Sequence, residues 1–83
     1  MNITIYSTSI CSACHALTNW LDKQSISYKK VITDEDPAGM MEFMSVNDGM
    51  IGVPFTVVTD EAGQQHKLSG FDVGEFKRVL QVA

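Results

Sequence analysis

Asn2-Ile-Thr-Ile-Tyr-Ser-Thr-Ser-Ile-Cys11-Ser-Ala-Cys14-His-Ala-Leu17 is the stretch on which the fold of this chain turns, because its periodicity changes in the middle. In Asn2 to Ser7, Ile3 and Ile5 fall on one face and Thr4 and Tyr6 on the other, and β-branched and aromatic residues dominate, as in a strand. Thr8-Ser9-Ile10 reads as a short loop. From Ser12 the apolar positions recur at helical spacing, through Ala13, Leu17, Trp20 or Leu21 and Gln24. His15, Asn19 and Asp22 take the other side. This predicts an amphipathic helix over 12–24, with Cys11 at its N-terminal edge and Cys14 on the apolar stripe with Leu17 and Leu21.

The rest of the chain extends this alternation. Residues 26–32 (Ile26, Tyr28, Val31, Ile32) predict a second strand, and 33–36 an acidic turn. Asp36-Pro37 suits a helix start, a carboxylate N-cap followed by proline at the first helical position. That helix is expected over 37–47, with Met40, Phe43 and Met44 inward and Gly49 past its end. Residues 53–59 predict a third strand, with Pro54 near its start where a missing N–H is tolerable. Asp60 to Gly63 form a hairpin turn and 64–68 the returning strand. After the tight turn Ser69-Gly70-Phe71, Asp72 caps a last helix that buries Val73, Phe76 and Leu80. The order is β-α-β-α-β-β-α. It implies a right-handed βαβ start, an antiparallel pair at the end, and a four-stranded mixed sheet flanked by three helices. The 83 residues form one domain, 1–83, with no repeat or linker.

Composition bounds the function. The formal net charge is −4, and the Lys29-Lys30 pair reads as a solvated strand end. A nucleic acid or an anionic membrane surface would be repelled. No apolar run nears the roughly 20 residues that span a bilayer, and the N-terminus alternates as a strand does. The expected location is cytoplasmic.

The two cysteines are three positions apart. A disulfide there closes too small a loop to constrain the unfolded chain much, and in a reducing compartment such a pair is redox-active or metal-binding. At neutral pH a free cysteine is mostly thiol, with a pKa of about 8.5. A helix N-terminus offers unpaired N–H donors and partial positive charge, and both favour a thiolate. Cys11 is therefore the expected nucleophile. Cys14, one turn inside, is the expected resolving thiol. A structural zinc site needs four ligands, and only His15 and His66 remain besides the cysteines. Cys11-Ser12-Ala13-Cys14-His15 also satisfies the c-type haem attachment pattern. The preceding strand and the lack of an export signal argue against that rival.

The element order, the Cys-x-x-Cys helix start, Val53-Pro54 and Ser69-Gly70-Phe71-Asp72 together make the chain resemble the glutaredoxins along nearly its whole length. The resemblance implies a thioredoxin fold and a dithiol reductase that passes electrons to protein disulfides such as that of ribonucleotide reductase. It implies a cis bond at Val53-Pro54, with Val53 and Pro54 beside an extended substrate. It also implies that Gly70, Phe71 and Asp72 take the carboxylate of glutathione's γ-glutamyl arm. Typical glutaredoxins carry Cys-Pro-Tyr-Cys and a lysine three residues before the first cysteine; here Ser12-Ala13 and Thr8 stand instead. The NrdH-type redoxins, which take electrons from thioredoxin reductase, often have Cys-x-x-Cys-His-Ala and Trp-Ser-Gly-Phe. Cys14-His15-Ala16 and Ser69-Gly70-Phe71 match that branch, but Leu68 replaces its tryptophan. The implied electron source is thus glutathione or thioredoxin reductase. The partners are that source and a disulfide-containing protein, with no tightly bound cofactor, no metal and a monomeric chain. Two alternatives stay open: a non-catalytic adaptor on the same fold, and a dimer bridging an iron–sulfur cluster.

Overall fold

The structure is a computed structural model that describes residues 1–82; Ala83, the last residue of the expected domain, lies outside them. The elements follow the expected order: β1 (Asn2–Ser7), α1 (Ser12–Lys23), β2 (Lys29–Ile32), α2 (Pro37–Val46), β3 (Phe55–Thr59), β4 (Gln65–Ser69) and α3 (Val73–Leu80). The strands form one sheet in the order β2-β1-β3-β4. β1 and β2 are parallel, while β1–β3 and β3–β4 are antiparallel. This is the mixed sheet with three helices that the thioredoxin fold requires.

Each face of the sheet carries its own core, because side chains alternate along a strand. On one face Ile3, Ile5, Val58 and Leu68 pack with Leu17 and Leu21 of α1 and Phe76 and Leu80 of α3. On the other, Tyr6, Val31, Phe55 and Val57 pack with Phe43 of α2. The strands β1 and β3 are covered on both sides, so Tyr6, opposite Ile5 in the alternation, is also buried.

Several boundaries and facings differ from the sequence expectation, each for a local reason. The ladder of β2 begins at Lys29, opposite Thr4. Residues 26–28 bring the chain back from α1 through Ser25 at φ +58°, and the Ile26 N–H donates to the Leu21 carbonyl. β3 begins at Phe55 rather than Val53, since Pro54 has no N–H to give a ladder. The Val53-Pro54 bond is cis, and the Pro54 carbonyl accepts the Gly70 N–H at 2.8 Å. β4 runs one residue further than expected because Ser69 pairs with Phe55. α1 and α2 each end one residue early, at Lys23 and Val46.

Ala13, Met44 and Val73 were expected inward and are exposed. Ala13 and Val73 sit in the first turns of α1 and α3. Met44 lies on a helix that is apolar all round, where Phe43 and Gly39 take the buried positions. Trp20 and Leu21 divide the stripe, Leu21 buried and Trp20 half-buried against Phe71 and Phe76. Asp36 is the N-cap of α2 by position, yet its carboxylate accepts no capping hydrogen bond. Asp72 does cap α3, accepting from the N–H groups of Gly74 and Glu75 at 3.0 and 3.4 Å.

Candidate active site

Because β1 and β2 are parallel and β3 runs back between β1 and β4, four segments meet at one end of the sheet. They are the loop after β1 (8–11), the turn after β2 (33–36), the entry to β3 (53–54) and the turn after β4 (70–72). Every residue assigned from the sequence to the dithiol or its substrate groove is in one of these segments or in the first turn of α1.

Cys11 is the N-cap of α1, with extended backbone (φ −157°, ψ 100°) and a half-buried side chain. The Cys14 N–H donates to Cys11 Sγ at 3.1 Å. The Cys11 carbonyl accepts the His15 N–H at 3.2 Å, closing the first turn. Serine, threonine and aspartate usually fill this capping role with an oxygen; here a sulfur does. Cys11 and Cys14 are joined in a disulfide, with their Cα atoms 5.3 Å apart. Cys14 is only 2% exposed, so one sulfur faces outward and the other is shielded. The first turn of α1 contains no acidic residue to oppose negative charge on Cys11. A thiolate accepts an N–H far better than a disulfide sulfur does, so the capping geometry favours the reduced, ionised form.

The loop that presents Cys11 is clamped from the β2 side. Asp34 accepts hydrogen bonds from the Ser9 N–H at 2.9 Å and from the Ser9 hydroxyl. These bonds hold the Asp34 carboxyl below the usual carboxylate range, the hydroxyl contributing most. One residue earlier, both the Thr33 N–H and its hydroxyl donate to the Ser7 carbonyl, at 2.8 and 3.1 Å. Thr8, at the position of the usual lysine, is half-buried and donates its hydroxyl to the Ile10 carbonyl at 3.1 Å. Sequence reasoning missed the clamp, which joins residues 25 apart in sequence. The only signal was an acidic turn following a strand parallel to the one that feeds the loop.

On the far side of the disulfide, Pro54 is buried and Val53 half-buried. Gly70 has φ +76°, a conformation that favours glycine. Its N–H is used by Pro54. Phe71 is half-buried and turns its ring onto Trp20 and Phe76, with centroids 6.1 and 5.7 Å apart. Asp72 points back into its own helix start. The structure therefore gathers Thr8, Cys11, Cys14, Val53, Pro54, Gly70, Phe71 and Asp72 around one end. His15 stands exposed on α1, and His66 is remote, bonded to Asp60 in the β3–β4 hairpin at 2.9 Å. Among the described residues no group of three or more His, Cys, Asp or Glu side chains is placed to hold a metal ion. No helix there is long and apolar enough to cross a membrane.

Comparison with known proteins agrees with this arrangement. The glutaredoxin family model matches residues 3–62, well over half of the chain. The match takes in both cysteines and Val53-Pro54 and stops before the turn at Gly70. Among solved structures, a variant of the thioredoxin-like protein BC3987 superposes with a TM-score of 0.80 at 16% identity, covering 99% of this chain and 97% of its own. The glutaredoxin of Archaeoglobus fulgidus gives 0.78 at 17% identity, over 96% of this chain and 86% of its own. The glutaredoxin-like protein NrdH-redoxin from Escherichia coli gives 0.75 at 23% identity, over 95% of each. At these identities the structures show a shared fold. A search among curated proteins finds no match.

Proposed function

This chain belongs to the glutaredoxin family, and from that premise we propose that it is a dithiol reductase that carries electrons to protein disulfides, with Cys11 as nucleophile and Cys14 as resolving thiol. One observation carries the assignment. Cys11 Sγ is the half-exposed cap of a helix and receives the Cys14 N–H, while Cys14 is almost wholly buried.

In the reductive half-cycle the Cys11 thiolate attacks one sulfur of the substrate disulfide. A bond forms between Cys11 Sγ and that sulfur, the substrate S–S bond breaks, and the other sulfur leaves as a thiolate that takes up a proton. Cys14, once deprotonated, attacks Cys11 Sγ. The Cys11–Cys14 disulfide forms and the second substrate sulfur leaves with its electron pair. The substrate gains two electrons and two protons, and the protein loses the same. An external thiol donor then restores the dithiol.

Val53 and Pro54 flank the sulfurs on the side away from the Ser9–Asp34 clamp, and in this reading they receive the extended substrate backbone. Gly70 makes the turn. The amides of Phe71 and Asp72, which donate to no atom among the described residues, are the donors it offers to the backbone of a partner loop. The donor we favour is thioredoxin reductase, the protein substrate a ribonucleotide reductase, and the setting the cytoplasm, with the chain acting as a monomeric single domain without a tightly bound cofactor. Thr8 supports that choice of donor, since it offers no cation to a glutathione carboxylate.

Two variants and two donors test the proposal. Cys11→Ser abolishes reduction of a test protein disulfide, whereas Cys14→Ser accumulates a mixed disulfide visible by mass spectrometry. Offered NADPH with either thioredoxin reductase or glutathione plus glutathione reductase, the oxidised protein is reduced by the first. Equal residual turnover in both variants would overturn the assigned roles. Inertness of the wild-type dithiol towards any disulfide would favour an adaptor.

A further inference from the structure

The cations of this chain are kept away from one end of the sheet, while acids stand at both. The end that holds the disulfide carries Asp34, Glu35 and Asp36 in one turn and Asp72 and Glu75 at the start of α3. None of the six Lys and Arg residues lies in the four segments that meet there. Lys29 and Lys30 open β2 at the opposite end, Lys23 closes α1, and Lys77 lies in the second half of α3. Lys67 and Arg78 are drawn onto acids, Lys67 onto Asp48 at 2.9 Å and Arg78 onto Glu75 at 3.8 Å. Asp34 is bonded to Ser9 and Asp72 to its own helix. Glu35 and Asp36 make no side-chain hydrogen bond or ion pair among the described residues.

The same end exposes apolar side chains. Ile10, next to Cys11, is 92% exposed, and Ile51, two residues before Val53, is 87% exposed; Met50 beside it is 45% exposed. Isoleucines this open, flanking a reactive sulfur within an acidic rim, have the layout of a contact surface with an apolar centre and a charged edge.

We infer that this end docks protein segments that place Lys or Arg and an apolar side chain beside their cysteine, and that it selects against anionic thiols and disulfides, glutathione included. The inference rests on the dithiol-reductase reading of Cys11 and Cys14. An acidic rim raises the local concentration of cationic partners and speeds their encounter, and salt screens the effect. Glutathione carries two carboxylates against one ammonium and meets the same field with the opposite sign.

The test uses the reduced protein and three synthetic peptides. Each holds one intramolecular disulfide beside an isoleucine, and they differ only in flanking Arg, Gln or Glu. Second-order reduction rates are measured at about 0.01 M and about 1 M ionic strength, where the screening length is about 30 Å and about 3 Å. At low salt the Arg peptide is reduced about tenfold or more faster than the Glu peptide, with glutathione disulfide as slow as the latter. The ratio falls towards one at high salt. Glu35→Lys combined with Asp36→Lys erases or inverts it. Lys23→Glu combined with Lys30→Glu, at the other end, leaves it in place. Ile51→Ser slows all three peptides alike. Equal rates for the three peptides at low salt would overturn the inference. If dithiothreitol opens the Cys11–Cys14 disulfide but no peptide is reduced, the dithiol-reductase reading falls and the docking surface falls with it.

Discussion

The two faces of the sheet are built differently, and only one of them holds the sulfurs. The face under α1 and α3 is deep. It has eight buried residues with Trp20, Phe71 and Tyr28 among those sealing its edges, and the buried polar side chains beside them are Thr18 of α1 and Thr56 of β3. The face under α2 is thin. It has five buried residues, a polar tie from Tyr6 to Glu42 at 2.7 Å, and a helix whose Met41 and Met44 are 74% and 67% exposed. The helix that must hold Cys14 still while Cys11 exchanges partners is seated on the deep core. α2, which touches neither sulfur, needs only a light anchorage.

That contrast predicts unequal costs for the same truncation. Phe76 is 0% exposed and packs edge-on to Trp20 and Phe71, so Phe76→Ala is expected near the top of the roughly 3–5 kcal/mol range for such changes. Phe43, 5% exposed in the smaller cluster with Tyr6, Val31, Phe55 and Val57, is expected near the bottom. Denaturant unfolding of the two variants measures the difference. Equal losses would break the comparison.

The thin face is also the tighter one at a single point. A Cβ on Gly39 would collide with Val31 Cγ1 and lie 3.0 Å from the Asp36 carboxylate. Gly39 is the residue that lets α2 come down on β2. On helix propensity alone Gly39→Ala would gain about 1 kcal/mol. The clash reverses the sign, and a net loss of about 1–3 kcal/mol is expected. A stabilised variant would show that α2 can lift without consequence.

These differences mark how far the sequence could be read. The alternation of strands and helices, and the stripe of Cys14, Leu17 and Leu21, were legible because local periodicity determines them. The phase of α2 was not, because Met40, Met41, Phe43 and Met44 are apolar on every side and only the space above Val31 chooses among them. Strand ends were misread where a partner decides them, as at Lys29 opposite Thr4. The cysteine pair was legible by spacing. The Ser9–Asp34 clamp, the Tyr6–Glu42 bond and the occupation of the Gly70 N–H by Pro54 were not. Each joins segments far apart in sequence through side chains that are ordinary surface types when read locally.

The polar tie of the thin face gives a smaller effect with a pH signature. Burial, then the Glu42 acceptor and its charge, push the Tyr6 hydroxyl well above the usual phenol range. The folded state favours the neutral form. The stability from this group is therefore fully present below the unfolded pKa of about 10, and it is lost as pH rises through the folded value. Ultraviolet titration should show Tyr6 ionising only as the protein unfolds. Tyr6→Phe should remove that step and cost about 0.5–1.5 kcal/mol at neutral pH. An ordinary phenol titration in the folded chain would mean that the Glu42 contact is not formed in solution.

The smallest expected effect tests the unpartnered hydroxyl inside the deep face. Thr56 stands between Ile5 and Leu68 in the sheet, is 0% exposed, and its hydroxyl has no hydrogen-bond partner. An unpaired buried hydroxyl costs stability that a methyl of the same shape does not. Thr56→Val should therefore be neutral or stabilising by up to about 1 kcal/mol, which is the opposite sign to every other change argued here. Because Thr56 shares its face with α1, the variant has a second readout, the rate at which dithiothreitol opens the Cys11–Cys14 disulfide. If the hydroxyl is only a packing imperfection, that rate is unchanged while the denaturation midpoint holds or rises. A loss of stability confined to the reduced protein would instead mean that the hydroxyl gains a partner once the disulfide opens, and the deep face would then be more than an apolar seat for the helix.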